Sequence, residues 1–109
     1  MKISGVAKGQ YKQLCPSSWG KCNGDEKELH FKIQRAVALG KTVYTYKNGC
    51  KIKRYYHLNI LTDGKEVMTI WRDKTTEPFL VSYKRKEKYR VKYMKEQSEA
   101  EKEKVSQAV

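Results

Sequence analysis

A chain of 109 residues holds one domain with a single modest core, and a hydrophobic content of 39% is too lean for two. Its 24 Lys and Arg against 12 Asp and Glu leave a net charge of +12, which points to a polyanionic partner, nucleic acid before an anionic membrane, with simple solubility as the alternative. No apolar run approaches the ~18 residues of a membrane span, and "MKISGVAKGQYKQL" lacks the apolar stretch of a signal peptide, so a cytoplasmic protein with no membrane partner is expected.

Residues 1 to 24 read as an irregular arm, because "CPSSWGKCNG" is dense in turn formers and shows little periodicity. Cys15, Cys22 and Cys50 are odd in number, as free thiols of a reducing compartment would be. With no CxxC spacing, zinc held by these cysteines with His30 or His57 is the weaker reading, and neither metal nor cofactor is expected. The next segment, "NGDEKELHFKIQRAVALG", predicts an amphipathic helix over residues 25 to 39. Asn23 and Glu26 have capping-box spacing, Leu29, Ile33, Ala36 and Val37 form one stripe, and Gly40 stands as the C-terminal cap.

Residues 42 to 72 hold four tyrosines and six basic residues between the hairpin signals Asn48-Gly49 and Asp63-Gly64. Two-residue loops at both would set Lys47 opposite Cys50 and Thr62 opposite Lys65, with residues 50 to 61 as one long strand. Counting outward puts Val43, Thr45, Cys50, Ile52, Arg54, Tyr56, Leu58, Ile60, Val67, Thr69 and Trp71 on a core face, Arg54 opposite Asp73. The other face would carry Tyr44, Tyr46, Lys51, Lys53, Tyr55, His57, Asn59, Met68, Ile70 and Arg72, with His57 beside Ile70 and Tyr55 beside Arg72. A bulge in strand 50 to 61 would turn His57 over.

A fourth strand is expected at "PFLVSYKR". Residues 83 to 95 carry seven basic residues with Tyr89 and Tyr93 and suit a helix or a fifth strand. The expected fold is therefore α+β: an N-terminal helix packed on a four-stranded antiparallel meander, with a charged C-terminal tail. Residues 1 to 97 make the single basic domain, and 98 to 109 are expected to be a frayed helix or disordered tail, too poor in apolar residues to pack firmly.

One helix followed by a basic antiparallel meander resembles the barnase, EndoU, colicin and RelE-like group of ribonuclease toxins. The resemblance is architectural, covers roughly residues 25 to 84, and rests on His30 in "HFKIQRAVALGK", the sheet "VYTYKNGCKIKRYYHLNI", and the segments "IWR" and "FLVSYKR". That group places basic, histidine and tyrosine side chains there, and the resemblance implies a ribonuclease of toxin type.

Metal-independent RNA cleavage needs a base for the 2′-hydroxyl, an acid for the leaving oxygen, and positive charge at the phosphorane. Histidine alone titrates unaided near neutrality, which makes His57 the first candidate and His30 the second. Arg72 and Lys53 would stabilise phosphate charge, while Tyr44, Tyr46 or Tyr55 stacks a base or donates a proton. Tyr83, Lys84, Arg85 and Lys86 join Lys51 and Lys53 as nucleic-acid contacts. Two other classes share these residues: a non-catalytic module for single-stranded nucleic acid, and a small phage or mobile-element protein that binds and inhibits a protein partner. A basic toxin would take an acidic antitoxin or immunity protein as its partner.

Overall fold

The computed structural model describes residues 1 to 107, with side chains through Ser98; residues 108 and 109 of the expected tail lie outside the described residues. The segment expected to be an irregular arm is ordered as strand β1 (Lys2–Ile3), helix α1 (Gly5–Leu14) and the short helix α2 (Pro16–Gly20). Ser4 caps α1, its hydroxyl accepting from the Ala7 amide at 3.0 Å, and Ala7 and Tyr11 turn inward one helical turn apart. Pro16 ends that helix, having no amide to continue it, and opens the next at its first position.

Helix α3 (Glu26–Leu39) lies where its stripe predicts, with Leu29, Ile33, Ala36 and Val37 buried. Its cap is Asp25, whose carboxylate accepts from the Lys27 amide at 2.9 Å, in place of the Asn23 and Glu26 box. Asn23 instead stands at φ 51° in the turn before it. Gly40 does cap the helix, for a reason of space: a Cβ there would lie 2.6 Å from the Ala36 carbonyl oxygen and 2.9 Å from that of Arg54.

Strands β2 (Lys41–Thr45), β3 (Lys51–Tyr55), β4 (Leu58–Thr62) and β5 (Glu66–Arg72) form an antiparallel meander. β1 adds to it parallel to β5, so the sheet is five-stranded and mixed, in the order β1-β5-β4-β3-β2. The class is α+β as expected; the strands differ. The segment 50 to 61 is two strands, reversed at Tyr56 and His57 so that Tyr55 pairs with Leu58. The turn puts Tyr56 at φ 54°, a region most side chains avoid. "PFLVSYKR" contributes no strand beyond a bridge in which the Tyr56 and Phe79 amides each donate to the other's carbonyl, at 2.7 and 3.1 Å. From Tyr83 the chain is helix α4 (Tyr83–Gln107), which lays Tyr89 and Tyr93 against Phe31 of α3.

Both glycine turns are real, with Gly49 at φ 90° and Gly64 at φ 92°, but each loop is longer than two residues. The Tyr46 amide donates to the Cys50 carbonyl at 2.8 Å, leaving a three-residue loop, and Val43 is bulged out of the β2–β3 ladder. At the other turn Thr62 pairs with Val67 in place of Lys65, and Met68 is bulged. These shifts and the reversal at Tyr56–His57 change the parity of every assignment beyond them.

The helix-covered face carries Lys51, Lys53, Tyr55, Leu58, Ile60, Thr62, Val67, Ile70 and Arg72, and its apolar members form the core with Leu29 and Ile33. The far face carries Tyr44, Ile52, Arg54, Asn59, Leu61, Thr69 and Trp71. Tyr55 and Ile70, expected on the gripping face, are therefore buried, while Trp71 and Val43, expected in the core, are exposed. Ile70 pairs with Ile60 and Arg72 with Leu58, so neither His57 nor Tyr55 has the neighbour the longer strand implied. Tyr44 and Tyr46, whose rings meet edge to face at 4.7 Å, lie across the sheet from Lys51 and Lys53. No helix among the described residues is long and apolar enough to cross a membrane.

Candidate anion-binding cleft

The turn Tyr56–His57 projects from the end of the sheet into a cleft of about 670 Å³. Its walls come from every part of the chain: Tyr11 from α1, Cys15 from the α1–α2 joint, Arg35 from α3, Arg72 from β5, Lys74 from the loop after it, and Lys86 from α4. His57 and Arg72, singled out from the sequence, do meet here, by way of the β3–β4 reversal.

Arg72, Lys86, Arg35 and His57 are each positioned by a neighbouring group. Arg72 ends β5 beside the C-terminus of α1 and donates from Nη2 to the Leu14 carbonyl, where the helix leaves that oxygen unpaired. Lys86 stands over the Tyr56 ring, 4.9 Å from its centre, and the Tyr56 hydroxyl donates to the Val81 carbonyl at 3.0 Å. Arg35 sits 5.2 Å from the Phe31 ring, with its Nε buried and unpartnered among the described residues. His57 is fixed through its backbone, its carbonyl accepting from the Asp73 amide at 2.9 Å, while its Nδ1 is buried without a partner among the described residues. Among the described residues no carboxylate lines the cleft. Arg35, Arg72, Lys74 and Lys86 thus share one concavity with nothing to neutralise them locally, which is how protein sites for phosphate are built.

The neutral acids of the cleft are pushed toward their protonated forms. Burial raises Tyr11 to about 12, against the hydrogen bond it shares with the Ser18 hydroxyl at 2.8 Å. Burial likewise raises Tyr55, with the Arg35 and Lys86 charges opposing it, and raises the Cys15 thiol against the pull of Arg72. At neutral pH the cleft therefore offers cations and hydroxyl donors.

The remaining sequence candidates lie elsewhere. His30 faces a separate crevice between α3 and α4, near Lys8 and Arg90, where burial lowers its pKa. Lys53 donates to the Thr42 hydroxyl at 3.1 Å, and burial followed by the nearby Lys51 charge lowers its pKa. Tyr83, Lys84 and Arg85 are exposed on the first turn of α4; of that basic run Lys86 reaches the cleft. Among the described residues no three His, Cys, Asp or Glu side chains converge as metal ligands. Sequence reasoning passed over Arg35, Lys74 and Tyr11. The spacing of Arg35 four residues after Phe31 was the one local sign that it bordered the buried stripe.

No family model matches the chain, no curated protein matches it, and no solved structure matches its fold.

Proposed function

We propose that the chain is a small basic RNA-binding protein and that its cleft cleaves RNA without a metal, as ribonuclease toxins do. The observation that carries the reading is the meeting of His57 with Arg35, Arg72, Lys74 and Lys86 in one cleft free of carboxylates. In this reading a scissile phosphate sits among the four cations, which offset the charge that builds on the phosphorane. His57 takes the 2′-hydroxyl proton as that oxygen bonds to phosphorus. The bond from phosphorus to the 5′ oxygen breaks, and the leaving oxygen takes a proton from Tyr55, whose phenol stays protonated because burial raises its pKa. The products are a 2′,3′-cyclic phosphate and a 5′-hydroxyl.

Labelled RNA incubated with the protein in EDTA tests this directly. Discrete cleavage is expected, falling ~10²- to 10⁴-fold in His57→Ala while folding and RNA affinity persist. His30→Ala, altered in the other crevice, should cleave normally. One observation favours a second reading, a binding module without catalysis: among the described residues no group orients the His57 Nδ1, whereas a working base usually has one. Under that reading the RNA is shifted on the gel but intact. An acidic protein is the partner that would compete with RNA for the same cations.

A further inference from the structure

We propose that the far face of the sheet is a second RNA contact, on which the bases of a single strand stack against Tyr44, Tyr46 and Trp71; it rests on the reading of the protein as an RNA binder. Helices α1 and α3 pack on one side of the sheet, and the core lies between. On the other side the loop Asp73–Phe79 covers Arg54, and Tyr44, Tyr46 and Trp71 are open to solvent. Across it the ladder sets two rows, Tyr44–Ile52–Leu61–Thr69 and Lys41–Arg54–Asn59–Trp71, each one residue from every strand of the meander. Three strand spacings of ~4.8 Å make the row from Tyr44 to Thr69 about 14 Å long, room for a short run of nucleotides, with Trp71 two residues beyond Thr69 on β5.

Tyr44 and Trp71 are 55% and 37% exposed, and Tyr46 is 43% exposed, more aromatic surface than a sheet with no partner needs to keep wet. Neither row contains a carboxylate. The negatively charged residues that border the face, Asp73 and Glu77, stand on the loop over Arg54, while Lys41 and Lys47 are exposed at the tyrosine end. Phosphates are therefore accommodated over the β2 side, with bases running inward over the rings.

Charge decides among occupants. A second copy would bring another +12 onto the same surface, and pairing along the free edge of β2 is blunted by the Val43 bulge. A polyanion with flat apolar bases satisfies both the net charge and the rings.

The test uses Trp19→Phe, which leaves Trp71 as the sole tryptophan. Its fluorescence is followed against a 2′-O-methyl oligonucleotide of about 12 residues, which lacks the attacking hydroxyl and stays intact, and against inorganic polyphosphate. Quenching by the oligonucleotide and none by polyphosphate is expected. Tyr44→Ala should weaken the oligonucleotide by about 5- to 150-fold and leave polyphosphate binding unchanged, while Tyr44→Phe, which keeps the ring, should bind normally. Absence of quenching, or equal weakening of both ligands, would overturn the stacking face. The cleft is read separately: Arg72→Ala with Lys86→Ala should abolish cleavage of ordinary RNA and preserve Trp71 quenching. Cleavage without quenching removes only the second contact.

Discussion

Arg54 is 3% exposed on the far face of the sheet, beneath the loop Asp73–Phe79. Its Nη2 donates to the Asp73 and Thr76 carbonyls, both at 2.8 Å, and its Nη1 to the Asn59 side-chain oxygen at 3.2 Å, with an Asp73 carboxylate oxygen 4.0 Å away. Three bonds from a cation, at ~1.5–3 kcal/mol each, are opposed by desolvation of a guanidinium whose Nε has no partner among the described residues, which costs several kcal/mol. Arg54→Met keeps most of the stem and removes all the donors. The freed carbonyls regain water once the loop lifts, so the loss should be about 3–4 kcal/mol, a large share of the ~5–15 kcal/mol of a domain this size. Arg54→Lys retains the charge but offers a single compact donor that cannot span three acceptors, and should recover less than half. Urea unfolding gives the energy, and amide exchange across residues 74 to 79 shows whether the loop is what opens. Loss under about 1 kcal/mol with unchanged exchange in the loop would refute this account of what Arg54 does.

Gly40→Ala should destabilise by about 1–3 kcal/mol in thermal or urea unfolding, since its methyl meets two backbone oxygens that cannot step aside separately. Tyr11 supplies a stability that depends on pH: its folded pKa of about 12 lies above the ordinary value of 10, so the contribution is complete below pH 10 and is lost as pH rises through 12. Tyr11→Phe should flatten that alkaline decline in stability measured from pH 9 to 12. Asp73 has the opposite sign, held down to about 2 chiefly by the Thr75 hydroxyl and then by that of Thr76. Its hold on the loop is complete above pH 4 and lost as pH falls through 2, which exchange in residues 74 to 79 should follow.

How far the sequence could be read depended on whether a local signal or a distant contact set the structure. Helix α3 was legible because its buried stripe and its acidic cap sit within fifteen residues of one another. The glycines marked two turns correctly, but no short motif announces the three-residue loop at Gly49 or the bulges at Val43 and Met68. The reversal at Tyr56–His57 was hidden altogether. It uses a tyrosine at positive φ with neither Gly nor Asn, and what stabilises it is Phe79, 23 residues on in sequence, through two backbone hydrogen bonds. Reading those strands as one moved Tyr55 to the wrong face, while the missed bulge at Met68 misplaced Ile70 and the assumed two-residue loop at Gly49 put Tyr44 beside Lys53. His57 and Arg72 were found for their chemistry, and the fold brought them together by a turn the pattern did not show. Arg35, Lys74 and Lys86 converge from three separate elements, a meeting that spacing along the chain does not encode.

The pairing of β1 with β5 also orders events in time. The Lys2 amide donates to the Lys65 carbonyl, and the Ser4 hydroxyl donates to the Met68 carbonyl across 64 positions of sequence. During synthesis at ~5–20 residues per second, several seconds separate the emergence of these partners. Until then Ala7, which ends fully buried, has no Val67 or Ile70 to lie against, and the cap at Ser4 lacks its second anchor. A segment made well before its partner is thus among the last to find its place, and loop closure over that span sets a late, slow step in folding. A chain stopped short of β5 would expose the apolar side of α1 along with an unfinished sheet, a form that chaperones and proteases recognise.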